Sequence, residues 1–383
     1  MTDSNRAGNI IKQQSDYSAF IPNPLPPDPP VRMEDELVRL LSDADRALGK
    51  LDGTSLLLPD PELFVAMYIR KEALLSSQIE GTQASFIDLF ENRNDPTIAN
   101  HVRDVSNYII AMEYGLERLK DLPLSLRLIR EIHSKLLFNT RGYDRNPGEF
   151  RKSQNWIGPQ GCTLQDATFI PPPPQEMLKA MNDLEIYMMT EDNLTPHLIK
   201  VGLIHAQFET IHPFLDGNGR MGRLLITFWL CHKEILHRPL LYLSYYFKQH
   251  RSDYYDLLMR IRQQGSWEEW LKFFLRGIEE VARSAVDTAK DIVTLKNKHE
   301  MIIRNNLSSS SALKLLDYLY TSPLTSVNNA ADVLNISYPN ANSLIKRFCD
   351  IGILSQADEA QRNRNFYLRE YVRLLQIGTD PIR

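Results

Sequence analysis

The 383-residue sequence predicts an all-α fold: a helical bundle carrying one small β-hairpin, followed by a winged helix-turn-helix module. Three observations predict it. Apolar residues recur at spacings of three and four over most of the chain, the period of a helix with one buried face. Extended, turn-rich sequence is confined to residues 138–174. From about Ser309 the periodic segments shorten to three helices and two strands.

Taken in order, residues 1–32 are polar and then proline-rich, ending Ile-Pro-Asn-Pro-Leu-Pro-Pro-Asp-Pro-Pro. Such a run reads as an extended strap on the domain rather than a folded unit, docked through Tyr17, Phe20, Ile21 and Leu25. Residues 33–95 form an N-terminal helical region, with helical periodicity over 34–50 and 61–79. A helical core and its supporting helices span 96–300, with helices over 98–120, 125–137, 175–190, 196–211, 219–234 and 252–263 and from Trp267 to about Lys296. Within 138–174, two extended pieces flank Pro159-Gln-Gly161, which predicts the hairpin; a loop of this length usually serves function.

Residues 301–383 make the last unit. Ser311–Tyr320 is one amphipathic helix, and 325–334 a second with Asn335 as its stop. A third begins with Ser337 as N-cap and Pro339 in the first turn. Short strands then flank the polar residues 361–364. This is the winged-helix order. Tyr338, Asn340, Asn342, Ser343, Lys346 and Arg347 would face a groove, with Arg362 and Arg364 on the backbone. DNA is thus a partner this module could take, but Asp350, Asp358 and Glu359 lie close by and weaken the phosphate footprint.

Composition narrows the function. Hydrophobic residues make up 43% and charged residues 24%, and the net charge is −4, so no global cationic field draws the chain to nucleic acid. The three cysteines, Cys162, Cys231 and Cys349, form no CxxC pair and suit a reducing compartment. No apolar stretch is long enough for a membrane span, and Met-Thr-Asp-Ser-Asn-Arg lacks an apolar signal core. A cytoplasmic enzyme with no membrane partner is expected.

The chemistry concentrates in His212-Pro-Phe-Leu-Asp216-Gly217-Asn218-Gly219-Arg220-Met-Gly-Arg223. Asp-Gly-Asn-Gly reads as a tight loop, and the apolar periodicity after it opens a helix. Unpaired N–H groups at that helix start make an anion site. Arg220 and Arg223 share a face and suit phosphate oxygens. Asp216 is a hard oxygen ligand fit for magnesium. His212 is the one local group with a neutral-range pKa, fit for general-base work. The chain has no GxxxxGK[ST] phosphate loop, and a calcium loop would need glycine where Met221 stands. His205, seven residues before His212, reads as a helix-packing histidine rather than a metal ligand.

The run resembles the Fic family signature HPFx[D/E]GNGRxxR at every defined position. The resemblance implies a Fic-type bundle that transfers AMP from ATP to a Ser, Thr or Tyr hydroxyl of a protein, including itself, with Mg2+. It implies that His212 takes the hydroxyl proton and that Asp216 holds magnesium. Gly217, Asn218 and Gly219 would offer loop amides and a side-chain amide to the α phosphate. Arg220 and Arg223 would bind the β and γ phosphates, with Phe214 a core anchor. Ser76-Ser-Gln-Ile-Glu80-Gly81 resembles the family's inhibitory motif [S/T]xxxE[G/N], which implies that Glu80 pairs with Arg223 and blocks productive ATP binding. The hairpin resembles the flap that registers the target by strand pairing. Arg251-Ser-Asp-Tyr254-Tyr255 resembles the segment lining the adenine pocket, although Arg262 and Gln263 stand near the place where some relatives carry asparagine. Family members commonly dimerise, so a homodimer is expected. Two other readings remain open: Glu80 positioning water to remove AMP, and a nucleotide-sensing transcriptional regulator.

Overall fold

The computed structural model describes residues 6–381 apart from 15, 57, 59–60, 91–94, 141, 160, 192–193, 308 and 358–363. The chain opens on a hairpin, β1 (Gly8–Lys12) and β2 (Ser18–Pro22), antiparallel with Ile10 opposite Phe20. This corrects the plain strap expected there. The segment is nonetheless tied down as a strap would be: the Arg6 guanidinium makes two 3.0 Å bonds to the buried Glu268 carboxylate. It also donates to the carbonyls of Pro29 and Pro30. Phe20 and Leu25 are buried, while Ile21 is half-buried.

Helices follow: α1 (Asp35–Leu56), α2 (Pro61–Ile79), α3 (Pro96–Arg118), α4 (Leu126–Leu136), α5 (Pro174–Met189), α6 (His197–Ile211), α7 (Asn218–His232), α8 (Ser244–Gln249), α9 (Arg251–Gln264) and α10 (Trp267–Asn306). Local chemistry sets several starts. Asp95 caps α3 by accepting from the Thr97 N–H at 2.8 Å, with Pro96 in the first turn. Ser125 caps α4 in the same way. At the end of α2, the Gly81 N–H reaches Gln78 O and the Thr82 N–H reaches Ser77 O, with Gly81 at φ +95°. That is a Schellman stop, which needs a residue without Cβ penalty at positive φ.

α6 and α7 are buried nearly throughout and form the centre of the bundle. α10 packs along α1 and also meets α6, while α2 and α4 flank α3. Two polar residues of α6 are bonded inside: Lys200 donates to Thr190 O and Gln207 to Asn23 O. The expected hairpin between α4 and α5 is reduced to one antiparallel bridge. Ile157 and Phe169 exchange N–H···O bonds of 2.8 and 3.0 Å. β2 lies beside it, the Phe20 N–H donating to Ile170 O.

α10 runs unbroken through residue 300. Beyond it come α11 (Ser310–Thr321), β3 (Leu324–Ser326), α12 (Val327–Leu334), α13 (Tyr338–Asp350), β4 (Leu354–Gln356), β5 (Asn365–Leu368) and α14 (Arg369–Gln376). The sheet order is β3-β5-β4, all antiparallel. The unit thus runs helix, strand, helix, helix, strand, strand, helix. Asn335 ends α12 in the left-handed region and Ser337 precedes α13, as expected. Tyr338, Asn340, Ser343, Lys346 and Arg347 are exposed. Arg364 departs from expectation: it donates to Asn342 at 2.9 Å instead of projecting outward. Arg362 lies outside the described residues. No described helix is long and apolar enough to cross a membrane.

Candidate active site

α6 ends on His212, which adopts φ 50°, ψ 61°, a left-handed conformation uncommon for a residue with a side chain. That turn throws the chain into the loop 213–217, and Gly217 at φ +76° leads into α7. The loop is closed by the Asn218 amide, which accepts from the Phe214 N–H and donates to Phe214 O, both at 2.9 Å. The Asn218 side chain spends its oxygen and one of its two amide N–H donors on closing this loop. The first-turn N–H groups of α7 lack intrahelical partners and point at one spot.

Below the loop, Phe214 is fully buried and stacks on His133 of α4, the rings 3.6 Å apart and 4° from parallel. His133 Nδ1 accepts from the Gly148 N–H at 2.9 Å, so its proton sits on Nε2, 2.9 Å from Asp216 O. Burial holds this imidazole down at about 4, so it is neutral. The sequence offered no sign of His133 as a loop support, since it looks like any polar residue on an amphipathic helix.

Three charged side chains surround the N-terminus of α7. Arg220 is buried, 3.9 Å from Asp104 and 3.8 Å from Asp216, too far for strong bonds, and its Nε has no partner. Arg223 is engaged: Nε donates to Ser76 Oγ at 2.8 Å, and Nη2 to Ser76 O at 3.0 Å and Glu80 Oε1 at 2.7 Å. The same Glu80 oxygen lies against Gly219, where a Cβ would come within 2.2 Å of it. Ser76, Glu80 and Arg223 are therefore brought together, with the carboxylate resting on the anion-binding end of α7. Burial raises the Glu80 pKa, but Arg223, then Arg220 and His212, outweigh it and hold the group below the usual carboxylate range. A polar cavity of about 480 Å³ opens alongside, lined by Gly81, Thr82, Asn100, Asp104 and Thr140 among others.

Asp216 offers a single carboxylate, whose Oδ1 accepts from the Gly217 N–H. Among the described residues no group of three or more His, Cys, Asp or Glu side chains could cage a metal. One carboxylate fits a hard cation that takes its other oxygens from phosphates and water, and not a structural zinc.

His212 sits across the loop with its Nδ1 buried and unpartnered. Burial first, then the Arg262 and Arg151 guanidiniums, push the imidazole down to about 3, so it is a neutral base at neutral pH. Glu209, one turn earlier on α6, is a buried carboxyl whose Oε1 has no partner; burial raises it to about 7. The sequence reading missed it and Arg151. Of the two tyrosines expected at the base pocket, Tyr255 is 38% exposed, with Glu80 and Arg223 near enough to act on its hydroxyl electrostatically. The Tyr254 ring is fully buried against Phe247 and its hydroxyl lies 2.9 Å from His205 Nε2. His205 is the packing histidine expected, its Nδ1 on Gly222 O.

Two family profiles match this chain: Fic/DOC family N-terminal over residues 38–117, carrying Ser76 and Glu80, and Fic/DOC family over 123–230, carrying the whole His212–Arg223 loop. The chain belongs to the Fic/DOC family. Among curated Fic relatives, Protein adenylyltransferase Fic of Aedes aegypti is 30% identical over 177 residues, 44% of this chain and 32% of that one. Its namesake in Drosophila melanogaster is 27% identical over 176 residues, with the same coverage. The chain thus spans about a third of the length of the curated relatives it matches. Among solved structures, a Fic family protein from Desulfovibrio desulfuricans G20 shares the fold with TM-score 0.56 at 19% identity, over 88% of this chain and 97% of that one. A Fic domain containing signaling protein from Bacteroides thetaiotaomicron gives TM-score 0.50 at 18% identity, over 67% and 95%.

Proposed function

We propose that this Fic protein is an ATP-dependent protein adenylyltransferase held inactive by Glu80. The observation that carries the reading is the Glu80 carboxylate at the N-terminus of α7, paired with Arg223 and laid on Gly219, opposite a neutral His212. An anion site filled by the chain's own anion is a resting state. In the active state the triphosphate takes that place. The α7 amides then hold the α phosphate, and Arg220 and Arg223 the phosphates beyond it. Tyr255 borders the base. Asp216 would hold a magnesium ion, which neutralises phosphate charge when bound. His212 removes the proton from a Ser, Thr or Tyr hydroxyl of the target protein. The hydroxyl oxygen bonds to the α phosphorus while the bond to the β-phosphate oxygen breaks, and pyrophosphate leaves with the electron pair. The flap beside β2 presents the target segment. The names of the curated relatives support the same transfer. The exposed face of α13 supports a partner-reading role for the C-terminal unit.

The test is intact-mass analysis after incubation with ATP and magnesium, of the protein alone and with a lysate of a bacterial cell. The expected result is a gain of one AMP on the protein or a lysate protein, lost in His212→Ala while nucleotide binding stays within about threefold. Gain of AMP in the His212→Ala variant would remove His212 as the base.

A further inference from the structure

We propose that Arg151 is a positioning residue that fastens the His212 main chain to both arms of the flap, so that the base is aligned only while the flap is seated. The inference rests on the proposed adenylyl transfer. Arg151 follows the turn after α4 and is 2% exposed. Among the described residues no carboxylate pairs with it; its guanidinium is satisfied by main-chain carbonyls alone. Nε donates to His212 O at 3.0 Å, and Nη2 to Ile211 O at 3.5 Å. Nη1 donates to Ser153 O at 3.2 Å, and Nη2 also to Pro172 O. Ser153 lies on the outgoing arm of the flap and Pro172 on its return. The Arg151 N–H adds a 3.0 Å bond to Pro213 O.

Burying an unpaired guanidinium is costly, so a site that keeps one needs its forked geometry. What the fork holds here is a non-glycine residue at φ 50°. A left-handed histidine persists only where its surroundings over-determine it. Asn155, also on the flap, gives the second fastening: its Nδ2 donates to His212 O at 3.1 Å and to Phe214 O at 2.9 Å. Four flap residues, Arg151, Ser153, Asn155 and Pro172, and the base turn therefore form one hydrogen-bonded unit. A target segment that seats the flap also sets the imidazole.

Arg151 also adds positive charge beside His212. The groups facing that imidazole are Arg262 from α9, Arg151 from the flap, Glu80 from α2 and the Glu209 carbonyl from α6. Burial keeps the base neutral first, and the two guanidiniums lower it further. Removing Arg151 therefore raises the His212 pKa, and keeping a cation there does not.

The experiment compares full-length Arg151→Gln and Arg151→Lys in the Glu80→Gly background, following AMP transfer against ATP concentration and pH. An ammonium cannot span four carbonyls, so both variants are expected to lose about a hundredfold in kcat with the KM for ATP within about threefold, because the α7 amides are untouched. The acidic limb of the profile moves to higher pH in Arg151→Gln and stays in place in Arg151→Lys. Unchanged kcat in either folded variant overturns the proposal. So does a parallel loss of kcat and ATP affinity with an unmoved limb, which marks a general distortion of the site; kcat is counted per folded enzyme, because loss of folded protein alone lowers the apparent kcat and leaves KM unchanged. If Arg151→Gln does not fold, Arg151→Lys alone decides by the split between kcat and KM. Absence of AMP transfer by the Arg151-containing parent refutes the adenylyltransferase reading itself and is read separately.

Discussion

At the scale of single residues, the proposed resting state rests on the Glu80–Arg223 pair. Arg223 is buried, but the Glu80 side chain is 36% exposed, so solvent screens the pair and it is worth only ~1 kcal/mol. That magnitude suits a switch, since a triphosphate that gains more from the α7 amides and two guanidiniums can displace it. Glu80→Gly is expected to raise incorporation of labelled AMP about tenfold, the pair energy plus relief of carboxylate–phosphate repulsion. The change costs little in fold, because the position already lies past the last turn of α2. Arg223→Ala in the same background is expected to cancel the gain, leaving no guanidinium to align the triphosphate. Equal labelling in Glu80→Gly and the parent would leave Glu80 with a structural role or with the removal of AMP.

At the scale of elements, the loop 213–217 keeps its shape because α4 and α7 hold it between them. His133 links the Asp216 carbonyl to the Gly148 N–H and stacks on Phe214, so one ring fixes the loop from below. His133→Ala removes a buried ring and leaves both main-chain groups unpaired. The expected cost is about 3 kcal/mol in urea unfolding, with a raised KM for ATP. A cost under about 1 kcal/mol would show that α7 alone shapes the loop. The helices themselves were legible, because each buries a periodic face: α2, predicted at 61–79, runs Pro61–Ile79, and α6 and α7 fall within a residue or two of expectation. Short elements were legible only in part: α12, expected over 325–334, runs Val327–Leu334. α8 carries too few turns to show a period, α14 was not expected, and the β1–β2 hairpin hides in polar sequence beside prolines. The loop residues were legible from their own chemistry, and the Glu80–Arg223 contact from the resemblance. Arg151, His133 and Glu209 were not, since their roles depend on which carbonyls and rings the fold brings near.

At the scale of the whole molecule, the C-terminal unit is anchored to the helix that carries Glu80. α11 packs against α2, and α14 against α10. Past α14, the segment Gly378–Asp380 returns to the last turn of α2. The buried Gln78 amide donates to Thr379 O and Ala84 O, both at 2.8 Å, and accepts from Lys248 Nζ at 2.7 Å. Lys248 also donates to Gly378 O at 3.0 Å and to Asp380 O. Burial lowers this amine to about 8, with Asp380 opposing the shift, so it is still mostly charged at neutral pH. Gln78 lies two residues before Glu80, so a change at the C-terminal contact is expected to reach Glu80 through the turn they share. Lys248→Met keeps the stem and deletes the three donated bonds. It is expected to lower stability by about 2 kcal/mol and, by loosening the turn that presents Glu80, to raise AMP labelling a few-fold above the parent. In the Glu80→Gly background the same change is expected to leave labelling unaltered, because no carboxylate remains to be released. A double-mutant cycle of labelling rates separates this from general loosening. A Lys248→Met gain that persists without Glu80 would place the effect elsewhere in the site, and no gain in either background would reduce the contact to an anchor for the tail.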